Sequence, residues 1–189
     1  NPLEQFNVWF QIAIDAEVNE ANAMAISTIS EEGTPRSRYV LFKDIVDNKL
    51  VFYSDYESSK GREMENNPNI SGLFFWPELH RQIRLEGVVS KTSDDVSDNY
   101  FASRPRGAQL SAIASSQSTE IEGRETVEDR IKELEIEFEG KDIPRPDNWG
   151  GYAIDISFWE FWQGRRSRTH DRFIYVKNDN SWEITRLSP

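Results

Sequence analysis

The feature that most constrains this chain is a series of short runs of branched and aromatic residues, each cut off by a turn signal, on both sides of a helical insert. Residues around Met24, Ile26 and Thr28 alternate up to Glu31-Glu32-Gly33-Thr34, and Arg36 to Lys43 follows, which predicts a hairpin. Leu50-Val51-Phe52-Tyr53-Ser54 comes after a turn at Asp47-Asn48, and Ile70 to Trp76 and Gln82 to Lys91 read as further strands. Beyond the insert lie Gly151 to Ile156, Phe158 to Trp162, Phe173 to Val176 and Trp182 to Ile184. The expectation is a mainly β fold with peripheral helices (α+β), built as an antiparallel barrel.

The helices show in the 3.6-residue period and in their caps. Leu3, Phe6, Trp9, Phe10, Ala13 and Ile14 recur at helical spacing between Leu3 and Val18. Ser58 or Ser59 can cap a helix to Asn66, and Ser93-Asp94-Asp95 opens one through Phe101. Arg106 to Ser115 forms another, and Thr126 to Phe138 carries an apolar stripe of Val127, Ile131, Leu134 and Phe138. At 189 residues the expectation is a single domain over 1–189.

Composition excludes several functions. A net charge of −11 argues against nucleic acid as a partner, since a phosphate backbone repels an acidic face. No stretch approaches the roughly 20 apolar residues that span a bilayer, and no leader is recognisable. Zero Cys removes disulfides and thiolate chemistry and fits a cytoplasmic protein, and with only His80 and His170 a multi-histidine metal site is not expected.

The chemistry concentrates in a few segments. Gly164-Arg165-Arg166-Ser167-Arg168-Thr169-His170-Asp171-Arg172 packs four arginines and a histidine into eight residues of an acidic chain. Arg38-Tyr39-Val40-Leu41-Phe42-Lys43 sets two cations at the ends of one strand, on opposite faces by the period of two. Ser58-Ser59-Lys60 at a helix start offers hydroxyls, free N–H groups and an ammonium to an anion. Pro105 should turn the chain so that Tyr100 and Arg104 are presented together, and Gln82 and Gln117-Ser118 add amides and a hydroxyl. Taken singly, each segment could equally be a solvated loop, a strand end or a simple cap. Together they supply cations for phosphates, amides for the edge of a heterocycle, and aromatic faces for stacking.

In order and spacing these segments resemble the pyridoxamine 5′-phosphate oxidase family over nearly the whole chain. The resemblance is most specific in Phe161-Trp162-Gln163-Gly164, Arg168-Thr169-His170-Asp171-Arg172-Phe173 and the ending with Arg186-Leu187, supported by Ser103-Arg104-Pro105-Arg106 and Trp149-Gly150-Gly151. It implies an FMN-binding split β-barrel that works as a homodimer, with a C-terminal dimerisation and substrate-binding region over about residues 145–189.

It also implies roles. Arg38 and Lys60 would bind the FMN phosphate beside Tyr53 and Ser54, and the strand Arg38, Tyr39, Val40, Leu41, Phe42, Lys43 would line the flavin. Gln82, Gln117 and Ser118 would contact the cofactor, and Trp162 and Arg172 would reach it from a partner subunit. Lys43, Tyr100 and Arg104 would hold the substrate phosphate, with Arg168 and His170 flanking the pyridine ring as the catalytic pair. Two positions depart from the family pattern: Ser59 stands where the family usually has Arg, and Ala108 where it has a phosphate-binding Ser. The implied reaction converts pyridoxine or pyridoxamine 5′-phosphate to pyridoxal 5′-phosphate, with dioxygen reduced to hydrogen peroxide. A non-catalytic flavin-binding barrel and an oxidase of another ring system are the alternatives.

Overall fold

Helix α1 (Pro2–Asp15) begins as its sequence dictates. The Asn1 side chain accepts a hydrogen bond from the Leu3 amide at 3.0 Å, and Pro2 occupies a first-turn position where its missing N–H costs nothing. In the computed structural model, which describes residues 1–179 and 181–189, α1 drives Phe6 into the interior of a curled nine-stranded sheet. Phe6 is fully buried, with the rings of Phe42, Phe74 and Trp159 at 5.3, 5.3 and 5.5 Å. Burying one such side chain contributes about 1.5–3 kcal/mol, so α1 acts as a plug for the barrel.

The strands are β1 (Ala23–Ile29), β2 (Pro35–Leu41), β3 (Asp44–Val46), β4 (Lys49–Asp55), β5 (Asn69–Trp76), β6 (Arg81–Lys91), β7 (Trp149–Gln163), β8 (Asp171–Asn178) and β9 (Ser181–Leu187). Their hydrogen-bonded order is β2-β1-β5-β6-β7-β4-β3, with β8 on β7 and β9 on β8, all antiparallel. The expected hairpin is β1–β2, and Asp47 and Asn48 turn β3 into β4 with φ of 50° and 62°, as a two-residue type I′ turn requires. The result is the split barrel that the sequence suggests.

Two expectations are corrected. The run Arg36 to Lys43 is not one strand, because β2 ends at Leu41. The Phe42 amide then bonds the Asn22 carbonyl and the Lys43 amide bonds the Val51 carbonyl, both at 2.9 Å, so the chain passes from β1 across to β4. Arg38 and Lys43 are therefore not the two ends of a single strand. The runs Gly151 to Ile156 and Phe158 to Trp162 are one 15-residue strand, with Ser157 between them as an extra β7 residue where the pairing steps from Gly87–Ile156 to Glu86–Phe158.

Helices α2 (Ser59–Asn66), α3 (Asp94–Ser103), α4 (Arg106–Ala114) and α5 (Arg124–Glu137) lie outside the sheet. Ser58 caps α2 and Ser93 caps α3, each by accepting an amide hydrogen bond. The α5 stripe packs as read, with Leu134 buried beside Phe101, Leu110, Ile143 and Trp149 in a second small core. Arg145 ties that core together, donating to Asp94 Oδ1 and to the Trp149 carbonyl, both at 2.8 Å. Gly150 and Gly151 are needed for closeness: a Cβ at Gly150 would lie 2.0 Å from the Tyr56 hydroxyl, and one at Gly151 2.5 Å from Thr92 Oγ1.

Candidate active site

A cleft of about 590 Å³ opens where the edge strand β2 and the link after it face β4, with α2, α3 and α4 around it. Tyr39, Val40, Leu41 and Lys43 form one side, and Tyr53, Ser54 and Lys60 the floor. Tyr100, Arg104 and Ala108 come from the helical layer, with Gln117 and Trp149 completing the wall. Eleven of the predicted site residues thus meet in one cavity, within the size range of small-molecule sites.

Its electrostatics come from three cations. Lys60 Nζ donates to Ser54 Oγ at 3.0 Å, to Ser58 Oγ at 3.2 Å and to Gln117 Oε1. All three acceptors are neutral. Burial, followed by the nearby Arg38 charge, lowers the Lys60 pKa below its ordinary value. Arg104 is the residue before Pro105 and is therefore extended, at φ −72° and ψ 147°, which ends α3 and swings its side chain over the Trp149 ring at 4.6 Å. Its Nη1 is buried without a hydrogen-bond partner, an arrangement that invites an anion. Among the described residues, Lys43, Lys60 and Arg104 make no salt bridge.

The aromatic wall is layered. Tyr53 stacks on Tyr100 at 3.7 Å with an 11° interplanar angle, and on Trp149 at 5.6 Å. Burial, with the Asp44 charge behind it, pushes the Tyr53 phenol up to about 12, so it stays protonated at neutral pH.

The other predicted residues lie elsewhere. Arg38 points to the inner side of the sheet, where Nη2 bonds Glu63 at 2.8 Å and Nη1 bonds Thr28. Phe42 is a core residue, Ser59 borders a separate cavity beside Arg36 and Arg62, and Ser118 is exposed with φ 71°. Gln82, Trp162 and Arg172 form one cross-strand row on the outer sheet face, Gln82 opposite Trp162 and Trp162 opposite Arg172. His170 leans on Trp162 at 4.7 Å, and its Nδ1 accepts the Arg165 amide at 3.1 Å, which leaves Nε2 to carry the proton of the neutral ring. Arg168 is exposed beside them, at φ 60°. Tyr53 pairs with Gly151, so Trp162 is eleven residues further along β7, about 36 Å of strand.

Several cleft residues escaped the sequence reading. Asp55 is buried beside Gln117, and Trp149 was noted as part of a motif without a place in the cleft. On α4, Ser111 and Ala112 join Ala108 at helical spacing, with Ser115 just past the helix end, a run of small residues that was a usable signal.

The chain matches the family described as Pyridoxamine 5′-phosphate oxidase over residues 10–137, and the Pyridoxine 5′-phosphate oxidase C-terminal dimerisation region over residues 149–189. It is 50% identical over 192 residues to a pyridoxine/pyridoxamine 5′-phosphate oxidase of Burkholderia mallei, covering 100% of this chain and 89% of the relative. The corresponding Cyanothece sp. protein is 47% identical over 189 residues, with the same coverage. Among solved structures, PhzG of Burkholderia lata, in complex with tetrahydrophenazine-1-carboxylic acid, superposes with a TM-score of 0.95 at 31% identity, over 100% of this chain and 93% of that one. A pyridoxamine 5′-phosphate oxidase-related FMN-binding protein of Nostoc punctiforme shares the fold, at a TM-score of 0.80 and 16% identity over 100% and 98% of the two chains. The split barrel, the cation-lined cleft and near-complete coverage of half-identical relatives lead to one conclusion: this chain belongs to the pyridoxamine 5′-phosphate oxidase family.

Proposed function

We propose that the protein is an FMN-dependent oxidase of pyridoxine and pyridoxamine 5′-phosphate, acting in the cytoplasm as a homodimer. The observation that carries this reading is the cleft with three cations and no ion-paired acid, in a chain of net charge −11. Two phosphorylated ligands account for them. Lys60, with Ser54 and Gln117, is suited to the FMN phosphate, and Arg38 adds charge from behind. Arg104, with its unpartnered Nη1, joins Lys43 and Tyr100 for the substrate phosphate.

When bound, FMN supplies the two-electron acceptor that no side chain provides and hands the electrons to dioxygen. The protein binds and orients. The substrate phosphate anchored at Arg104 fixes the ring along the Tyr53–Tyr100–Trp149 wall, so that reaction replaces a random encounter with a held one. Trp162, His170, Arg168 and Arg172 are remote along β7 from their own cleft, so we assign them to the cleft of a second copy. There the partner subunit's Arg168 steers the substrate's exocyclic carbon, and the partner subunit's His170 holds or relays a proton at Nε2. The outer face that would meet this copy exposes Tyr39, Leu41, Phe75, Val88 and Val176, a patch expected of an interface. The chain as a whole is read as one cofactor-binding unit.

The test is oxygen consumption by the purified protein with both phosphorylated substrates side by side. A yellow protein that turns over either one supports the reading; one that neither binds added FMN nor consumes oxygen overturns it. A second reading, oxidation of a carboxylated polycycle, is favoured by the likeness to PhzG, because the free Arg104 guanidinium suits a carboxylate as well as a phosphate. Turnover of such an acid and not of the B6 phosphates would select it.

A further inference from the structure

Beneath the cleft floor a carboxylate sits among the cations. Glu63 of α2 is 4% exposed. Its Oε1 accepts from Arg36 Nη1 at 3.1 Å, and its Oε2 accepts from Arg38 Nη2 at 2.8 Å and from the Thr28 hydroxyl. Arg38 Nη1 donates to the same Thr28 oxygen, which closes a small ring of hydrogen bonds around one buried acid.

We propose that Glu63 is a resident competitor for the cofactor phosphate, holding Arg38 already neutralised and so setting FMN affinity below what the cations alone would give. The proposal rests on the reading above that the phosphate binds at Lys60 with the Arg38 charge behind it. Burial alone would raise the Glu63 carboxyl, yet the hydrogen bonds from Thr28 and Arg38 and the Arg38 charge hold it below its ordinary value, so it is ionised at neutral pH. Lys60 feels both sides of this arrangement: the Arg38 charge lowers its pKa, and Asp55 and Glu63 act against that. Two cations and two acids therefore share one buried field. A phosphate arriving at Lys60 therefore meets an Arg38 charge already offset by a carboxylate.

Glu63→Gln keeps the shape and can still accept from Thr28 or Arg38, but it removes the charge. The apoprotein then holds buried guanidinium groups short of counter-charge, which destabilises it, and the phosphate becomes the missing counter-ion. A merely structural role for Glu63 would lower stability without this gain.

The experiment titrates apoprotein with FMN, and separately with riboflavin, the same ring system without the phosphate, following quenching of flavin fluorescence. Glu63→Gln should bind FMN about tenfold more tightly than the wild type and riboflavin no differently. Its apoprotein should melt lower, while the rise in melting temperature on adding FMN grows. Arg36→Gln, at a half-exposed position, leaves the acid one cation fewer and should bind FMN several-fold more weakly, which keeps the idea testable even if Glu63→Gln does not fold. Unchanged or weaker FMN binding by a folded Glu63→Gln overturns the proposal. So does an equal gain for riboflavin, or an Arg36→Gln protein with wild-type affinity. If the wild type itself binds no FMN, the cofactor reading has failed, and that result is distinct from any of these.

Discussion

The cleft and the outer sheet face use the same residue types in opposite electrostatic states. In the cleft, Lys60 and Arg104 have no ion-paired acid among the described residues, and one nitrogen of Arg104 is buried unpartnered. On the outer face, Arg172 and Arg84 share the buried Glu160 at 2.7 and 3.2 Å. A cation without a protein counter-ion is poised for a ligand's charge, whereas one held by a buried carboxylate is fixed in direction. The difference separates groups that bind from groups that aim.

If the two regions complete each other between copies, the comparison can be broken by mixing. Lys60→Ala and Arg168→Ala should each be nearly inactive as homodimers, but subunits exchanged at equal amounts should recover about a quarter of wild-type turnover, because mixed dimers hold one intact site. No recovery after verified exchange would mean that each chain serves its own cleft. A smaller effect sharpens the division of labour. Arg104→Ala should raise KM for a phosphorylated substrate by roughly tenfold to a hundredfold while FMN affinity, read by fluorescence quenching, stays put. Arg168→Ala should spare FMN as well but lower kcat, and loss of flavin from that variant would place Arg168 in the wrong pocket. The smallest change expected is for Ala108→Ser, where one added hydroxyl on the cleft side of α4 is worth about 1 kcal/mol, a KM lowered by up to roughly fivefold.

The legible parts of this molecule are those decided by local chemistry. The caps Ser58 and Ser93, the turn at Asp47-Asn48 and the α5 stripe all satisfy their own backbone within a few residues, and each stands where it was read. Where a strand answers to a distant neighbour, the reading slipped. Ser157 looked like a break, yet β7 runs through it as a bulge, with Ile156 and Phe158 on either side paired to the consecutive β6 residues Gly87 and Glu86. Lys43 looked like the end of β2, yet its amide belongs to Val51 of β4. The family resemblance already implied that Trp162 and Arg172 come from a partner subunit, but how far Trp162 lies from Tyr53 along one chain shows only in the pairing of β7 with β4 at one end and with β8 at the other. Glu63 was invisible as a partner of Arg38, because nothing local links a helix residue to a strand 25 positions earlier.

The paired glycines after Trp149 carry a consequence for how such a cleft can change over time. A boundary held in place by the absence of atoms has no small steps available to it: the first methyl group at Gly150 meets the Tyr56 hydroxyl at 2.0 Å. Elsewhere in the lining, Ala108, Ser111, Ala112 and Ser115 are small side chains that substitution can enlarge one atom at a time. Drift in the size of the accepted ring is therefore channelled to those small residues, while the strand that carries Trp149 stays fixed.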